Sequence, residues 1–201
     1  MRKLNMKGKV PRNGQRNEEL VSAAGSGDND SVTRLLEEGA DITSKDRRGD
    51  TGIHLAAEKD HHLVVTTFLE KGIDVNIRGF AQNTAVICAA ASGHLTSLKL
   101  LLDAGGDPDI KSGWGQTALT WAARNNCEEI VSELLRRGAN EKIEHRGKSA
   151  QKLAEESGHQ DVVKIFQVFG NKEKMNSEML TAAGENKWRL VQGLIIAGAE
   201  L

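Results

Sequence analysis

One spacing governs this chain. Thr51, Thr84 and Thr117 stand 33 residues apart, and Ser149 follows after 32. Alanine pairs keep step at Ala23–Ala24, Ala56–Ala57, Ala89–Ala90 and Ala122–Ala123, with Ala182–Ala183 further on. Gly39, Gly72, Gly105 and Gly138 hold the same interval, and Gly170 comes 32 residues later. A fixed period of this length means that each unit packs on its neighbours, so the chain builds one elongated array and not several separate cores.

Charge is nearly balanced, with 27 basic and 28 acidic side chains. Nothing global therefore favours nucleic acid or a membrane surface. The exception is residues 1–16, which hold six Lys or Arg, no acid, and the breakers Gly8, Pro11 and Gly14. That stretch reads as a basic disordered tail. No apolar run is long enough for a membrane span or a signal-peptide core. Cys88 and Cys127 occupy non-matching positions of different units, which argues against a disulfide framework and against a zinc site. The expected setting is reducing, cytoplasmic or nuclear.

Within a unit, Thr51 precedes a short apolar run and can cap its first turn, as can Thr84, Thr117 and Ser149. Nine residues after each cap the chain must reverse. Gly27, Asp60, Gly93, Asn126, Gly158 and Asn186 stand there, all types that tolerate positive φ. A second helix follows with apolar residues at helical spacing, as in Val65, Phe68 and Leu69, or Leu98, Leu101 and Leu102. The periodic glycine closes it. Between that glycine and the next cap, extended residues and a glycine-containing turn predict a protruding β-hairpin finger.

Two antiparallel helices and a finger per unit, with Thr51-Gly-Ile-His-Leu-Ala-Ala57 and the later Gly72-Ile-Asp-Val-Asn76, resemble the ankyrin repeat. The resemblance implies an all-α repeat solenoid: a stack of antiparallel helix pairs with β-hairpin fingers, presenting a concave groove to partners. It implies a hydrogen-bonding role for His54 and makes Asn76 a candidate for hydroxylation. The family's proline is replaced by Gly52, Ala85, Ala118 and Ala150, and its histidine survives only as His54.

The expected copies are 17–45, 46–78, 79–111, 112–143, 144–170 and 177–201, with Asn17 capping the first helix. Spacing breaks after Gly170, where seven positions separate it from Ser177. Residues 180–201 nonetheless match the first copy. Ile196 and Ala197 fall where that copy has Glu37 and Glu38, so the array is expected to continue beyond Leu201.

Catalytic and metal motifs dissolve into the period. His61, His94 and His159 each follow the reversal position, and Cys127 takes the same place in its unit. Arg48-Gly49-Asp50 is a finger tip. Gly147-Lys148-Ser149 lacks the glycine that a phosphate loop needs five residues earlier, because Lys142 stands there. No nucleophile, base and orienting acid share a place in the repeat, so the expected protein is no enzyme and needs no cofactor or metal.

What is left is surface. The groove positions are Arg47, Arg48, Asp50, Glu58 and Lys59 in the second copy, and Phe80, Ala81, Asn83 and Ser92 in the third. The fourth adds Trp114, Gln116, Arg124 and Asn125, and the fifth His145, Arg146, Lys148 and Glu156. Phe80 and Trp114 stand out, since a finger tip has little core to hide a ring; otherwise they lie on a neighbouring finger. Trp121 and Trp188 are expected in core or edge packing. The expected function is a monomeric protein–protein interaction scaffold whose partner, another protein or a segment of its parent chain, carries acidic and apolar residues. One alternative is nucleotide or single-stranded nucleic-acid binding through Trp114 and Phe80, which the groove acids disfavour. Another is a regulatory array on a larger enzyme.

Overall fold

The computed structural model describes the backbone of residues 13–184, and side chains through 172 and at 174 and 176. Ten α-helices follow in chain order: α1 (Asn13–Ser26), α2 (Asn29–Glu37), α3 (Gly52–Glu58), α4 (His62–Glu70), α5 (Ala85–Ser92), α6 (Leu95–Asp103), α7 (Ala118–Arg124), α8 (Glu128–Arg136), α9 (Ala150–Glu156) and α10 (Gln160–Gly184). Odd-numbered helices stack on one another as an inner row, and even-numbered ones form an outer row behind them. Most of these helices have seven to nine residues. Segments that short are marginal alone, so packing holds them.

The alanines make that packing possible. Ala24, Ala56, Ala57, Ala89, Ala90, Ala122 and Ala123 are all fully buried. Their methyl groups let inner helices approach closely, while Val32, Phe68, Leu101 and Leu134 fill the space to the outer row. Helix starts follow the predicted caps. Thr84 accepts from the Ile87 amide at 3.3 Å, Ser149 from Lys152 at 3.2 Å, and Thr117 and Thr120 bond reciprocally. Every described reversal residue is left-handed, with φ from 58° at Asp60 and Asn126 to 78° at Gly27 and Gly158. Asn186 and Trp188 lie outside the described residues.

Three expectations need correction. Helix α1 starts at Asn13, so Asn17 lies within it and does not cap it; its side chain instead accepts from the Asp41 amide at 2.9 Å. Arg16, assigned to the basic tail, is buried on that helix, 3.7 Å from Glu38. Second, the helix expected to stop at Gly170 runs on to Gly184 as α10. The residues after Gly170, Asn-Lys-Glu-Lys-Met, are mostly good helix formers and offer no turn, and an interior glycine costs only about 1 kcal/mol. Of the sixth copy expected at 177–201, only residues 177–184 are described, as the end of α10, and the rest lies outside the described residues. Third, the fingers carry no β-ladder among the described residues; isolated bridges join Lys45 to Thr51 and His145 to Lys148. Each finger is a tight turn.

Candidate functional site

Four of these turns project in register from the inner row. Backbone hydrogen bonds close each of them, among them Asp46 N to Asp50 O, Gly79 N to Asn83 O, Ser112 N to Gln116 O (each 2.8 Å), and His145 N to Lys148 O (2.9 Å). So short a loop needs positive φ near its tip. Gly49 and Gly115 supply it without strain, but the turn at residues 79–83 uses Ala81 and Gln82, at φ 51° and 59°, and the fourth turn joins Arg146, at 52°, to Gly147.

That strained turn is clamped from both sides. The buried Asp50 carboxylate accepts from the Phe80 amide at 2.8 Å. His54 Nε2 lies 3.1 Å from both the Ile77 and Asn83 carbonyls, while its Nδ1 is 2.8 Å from the Thr51 hydroxyl. Gly113 N donates to Ala81 O at 2.6 Å, and the Arg78 guanidinium donates to Gln82 O and Lys111 O at 2.7 Å. Lys45 donates in the same way to Arg78 O, 33 residues on. Gly79 has to be glycine, because a β-carbon there would press on the His54 ring at 2.8 Å and on Asp50.

Phe80 and Trp114 stand on this clamped platform. Their rings meet edge to face, with centroids 6.3 Å apart and planes at 82°. Phe80 remains 47% exposed and Trp114 54%. Local stacking is thus real, yet it leaves about half of each ring in water.

The other predicted groove residues divide into available and committed ones. Among the described residues the guanidinium groups of Arg47, Arg124 and Arg146 make no hydrogen bond or ion pair. Arg48 is committed to Asp50 at 3.3 Å and to Asp46 and Glu58 at 3.5 Å. Lys148 pairs with Glu156 at 2.6 Å. Lys59 donates to Gly25 O and Asn125 to Ala91 O, tying inner helices together. Asp50 and Gln116 are buried, at 6% and 3% exposure, and so offer little surface. Asn83 Oδ1 and Gln116 Nε2 are buried without a partner.

A family model described as ankyrin repeats (3 copies) matches residues 20–112 and again 97–177. The chain belongs to the ankyrin-repeat family. Ankyrin repeats are generally protein–protein interaction modules and not catalysts. No curated protein matches the chain.

Within this ankyrin array, electrostatics separate structural groups from surface ones. Burial pushes the His54 imidazole below its ordinary value, against the pull of Asp50. The neutral ring suits its contacts, donating through Nε2 and accepting at Nδ1. Burial alone would raise the Asp46 carboxyl, but the amides of Asp50, Arg48 and Gly49 hold it low, so Asp46 clasps its own turn. Burial lifts the Cys88 thiol to about 12, and Cys127 shifts the same way. Both cysteines are free. Among the described residues no cluster of three or more His, Cys, Asp or Glu could hold a metal ion, and no helix is long and apolar enough to cross a membrane.

One feature of the ankyrin surface escaped the sequence. A cleft of about 790 Å³ opens between α1, α3 and the first turn, walled by Val21 and Leu55 and rimmed by Lys45, Arg47 and Lys59. Its signal is the small flank of α1, where Ser22 and Gly25 stand at positions that Leu55 and Trp121, and Glu58 and Arg124, fill in the second and fourth copies.

Proposed function

We propose that this ankyrin array is a non-catalytic scaffold that binds an extended segment of another protein, or of its own parent chain, bearing apolar and acidic residues. The observation that supports this best is the Phe80–Trp114 pair, two large rings half in water on turns held by Asp50, His54 and Arg78. Rigid aromatic surface of this kind binds at little ordering cost, and such residues carry the largest share of interface energy. The cations beside it suit a partner with carboxylates.

Trp114→Ala tests the function. Helical circular dichroism and the melting point stay near wild type, because the ring fills no core. Affinity for a purified partner, identified by mass spectrometry after capture, falls about 30-fold or more, the equivalent of a hot spot worth about 2 kcal/mol. Unfolding of the variant would show the ring to be structural and refute the proposal. Capture of a single-stranded oligonucleotide with steep salt dependence would also refute it.

A further inference from the structure

We infer that the Arg146 end of the groove is a docking site for a phosphorylated serine or threonine of the bound segment, placed about three residues from the apolar anchor that Phe80 and Trp114 receive. The inference rests on the binding function proposed above and names the acidic group that the segment carries. Its basis is the uneven charge along the row of turns. Around the first turn four cations meet four acids: Glu18 and Asp46 share a cleft with Lys45, Arg47 and Lys59, and Arg48 lies against Asp50 and Glu58. No surplus is left there.

The fourth turn differs. A cleft of about 340 Å³ opens between the end of α7, this turn and α9, and its walls carry Arg124, Arg146 and Lys148 against Glu156 alone. Lys148 pairs with Glu156 at 2.6 Å, while the guanidinium groups of Arg124 and Arg146 make no hydrogen bond or ion pair among the described residues. The neighbouring acids do not enter. Glu155 is taken by Lys152 at 3.1 Å, and Glu144 lines a different cleft with Ser149 and Gln151. Three cations against one acid leave a surplus of two positive charges. A lone carboxylate answers one of them. A phosphoryl group carries roughly −1.5 to −2 at neutral pH and three acceptor oxygens, which suits two guanidinium forks at once. Leu153 and Ser157 complete the walls, with apolar surface and a hydroxyl donor.

Trp114 stands on the turn next to that of Arg146. Stacked helices lie about 8–10 Å apart and an extended chain advances about 3.3 Å per residue, so roughly three positions separate anchor from phosphate. A nucleic acid offers phosphate as well, but at every nucleotide, and the balanced first turn has no surplus to meet it.

Two libraries of peptides of about 13 residues, one with phosphoserine and one with serine fixed at the centre, test this by selection on the purified full chain. Peptides enriched from the phosphoserine library carry an aromatic or aliphatic residue about three positions from the phosphate. Affinity of the best one, read by fluorescence anisotropy, falls about tenfold or more when serine or glutamate replaces phosphoserine. Arg124→Gln with Arg146→Gln abolishes that discrimination, and Arg47→Gln leaves it intact. The three arginines are exposed and unpaired, so the variants keep the wild-type circular dichroism. Equal affinity for the phosphoserine peptide and its serine or glutamate counterpart, or enrichment from the serine library alone, overturns the phosphate site and leaves the scaffold function standing if Trp114→Ala still abolishes binding. Enrichment from neither library, or binding indifferent to Trp114→Ala, overturns both. So does a single-stranded oligonucleotide that displaces the phosphopeptide at equal concentration.

Discussion

Gly52 occupies the place of the family's proline, and the reason is Phe68. A β-carbon at Gly52 would run into Phe68 Cζ, with Phe68 Cε2 and Ala24 Cβ both at 2.9 Å, whereas carbon atoms pack at about 3.5–4.0 Å. Phe68 is fully buried and cannot swing into water. Gly52→Ala therefore forces α3 away from α1 and the Phe68 ring off its rotamer. Overpacking of this kind costs about 1–3 kcal/mol, against a gain of about 0.5–1 kcal/mol from replacing a helical glycine. The expected net loss is about 1–2 kcal/mol, seen as a lower urea midpoint at unchanged slope. In the next two copies the matching residues are Ala85 with Leu101 and Ala118 with Leu134, all buried. Adding Phe68→Leu to Gly52→Ala should recover about 1 kcal/mol beyond additivity in a double-mutant cycle. If Gly52→Ala alone stabilises the chain, or the two changes simply add, the steric coupling is absent.

Acid should weaken the fold through His54. Its folded pKa is lowered from 6.5, so below that pH the unfolded chain binds a proton that the folded one refuses, and stability falls by up to about 1.4 kcal/mol per pH unit. Melting points measured from pH 7 to pH 5 should drop for wild type and flatten in His54→Gln, and equal slopes would exclude His54. Gln82→Gly should raise the melting point, since glycine removes a left-handed strain of about 1 kcal/mol without touching the carbonyl that Arg78 holds; a lower one would show that the Gln82 side chain matters more. The Cys88 thiol, pushed up to about 12, should resist iodoacetamide at pH 8 until the protein is denatured, as peptide mass mapping would show. Rapid native labelling would contradict the raised thiol pKa.

The helical framework was legible because its determinants are local and repeat. Capping Thr and Ser, left-handed reversal residues, paired alanines and terminal glycines each have one physical job, and 33-residue spacing exposes them together. Phe80 and Trp114 were readable for the same reason, as rings assigned to turns with no core behind them. Asp50 and Gln116 were misjudged as groove surface because a polar residue beside a tip can face water or bond the neighbouring turn, and only coordinates show that Asp50 reaches the Phe80 amide. Arg47 and Arg48 are adjacent, yet one is unpaired and the other faces three carboxylates, a difference fixed by Glu58 on α3. The end of α10 is not legible in the sequence, because Gly170 keeps the period of the terminal glycines, and glycine forces a stop only where the chain needs positive φ.

The relay from Lys45 to the Arg78 carbonyl and from Arg78 to the Lys111 carbonyl reaches no further among the described residues, for the Lys111 ammonium makes no matching bond to the next turn. The first three teeth of the comb are thus riveted to one another, while the fourth, bearing Arg146, hangs from α9 without that fastening. A visitor arriving at this edge meets a stiff end and a compliant end, and the stiff end is the one that carries the rings.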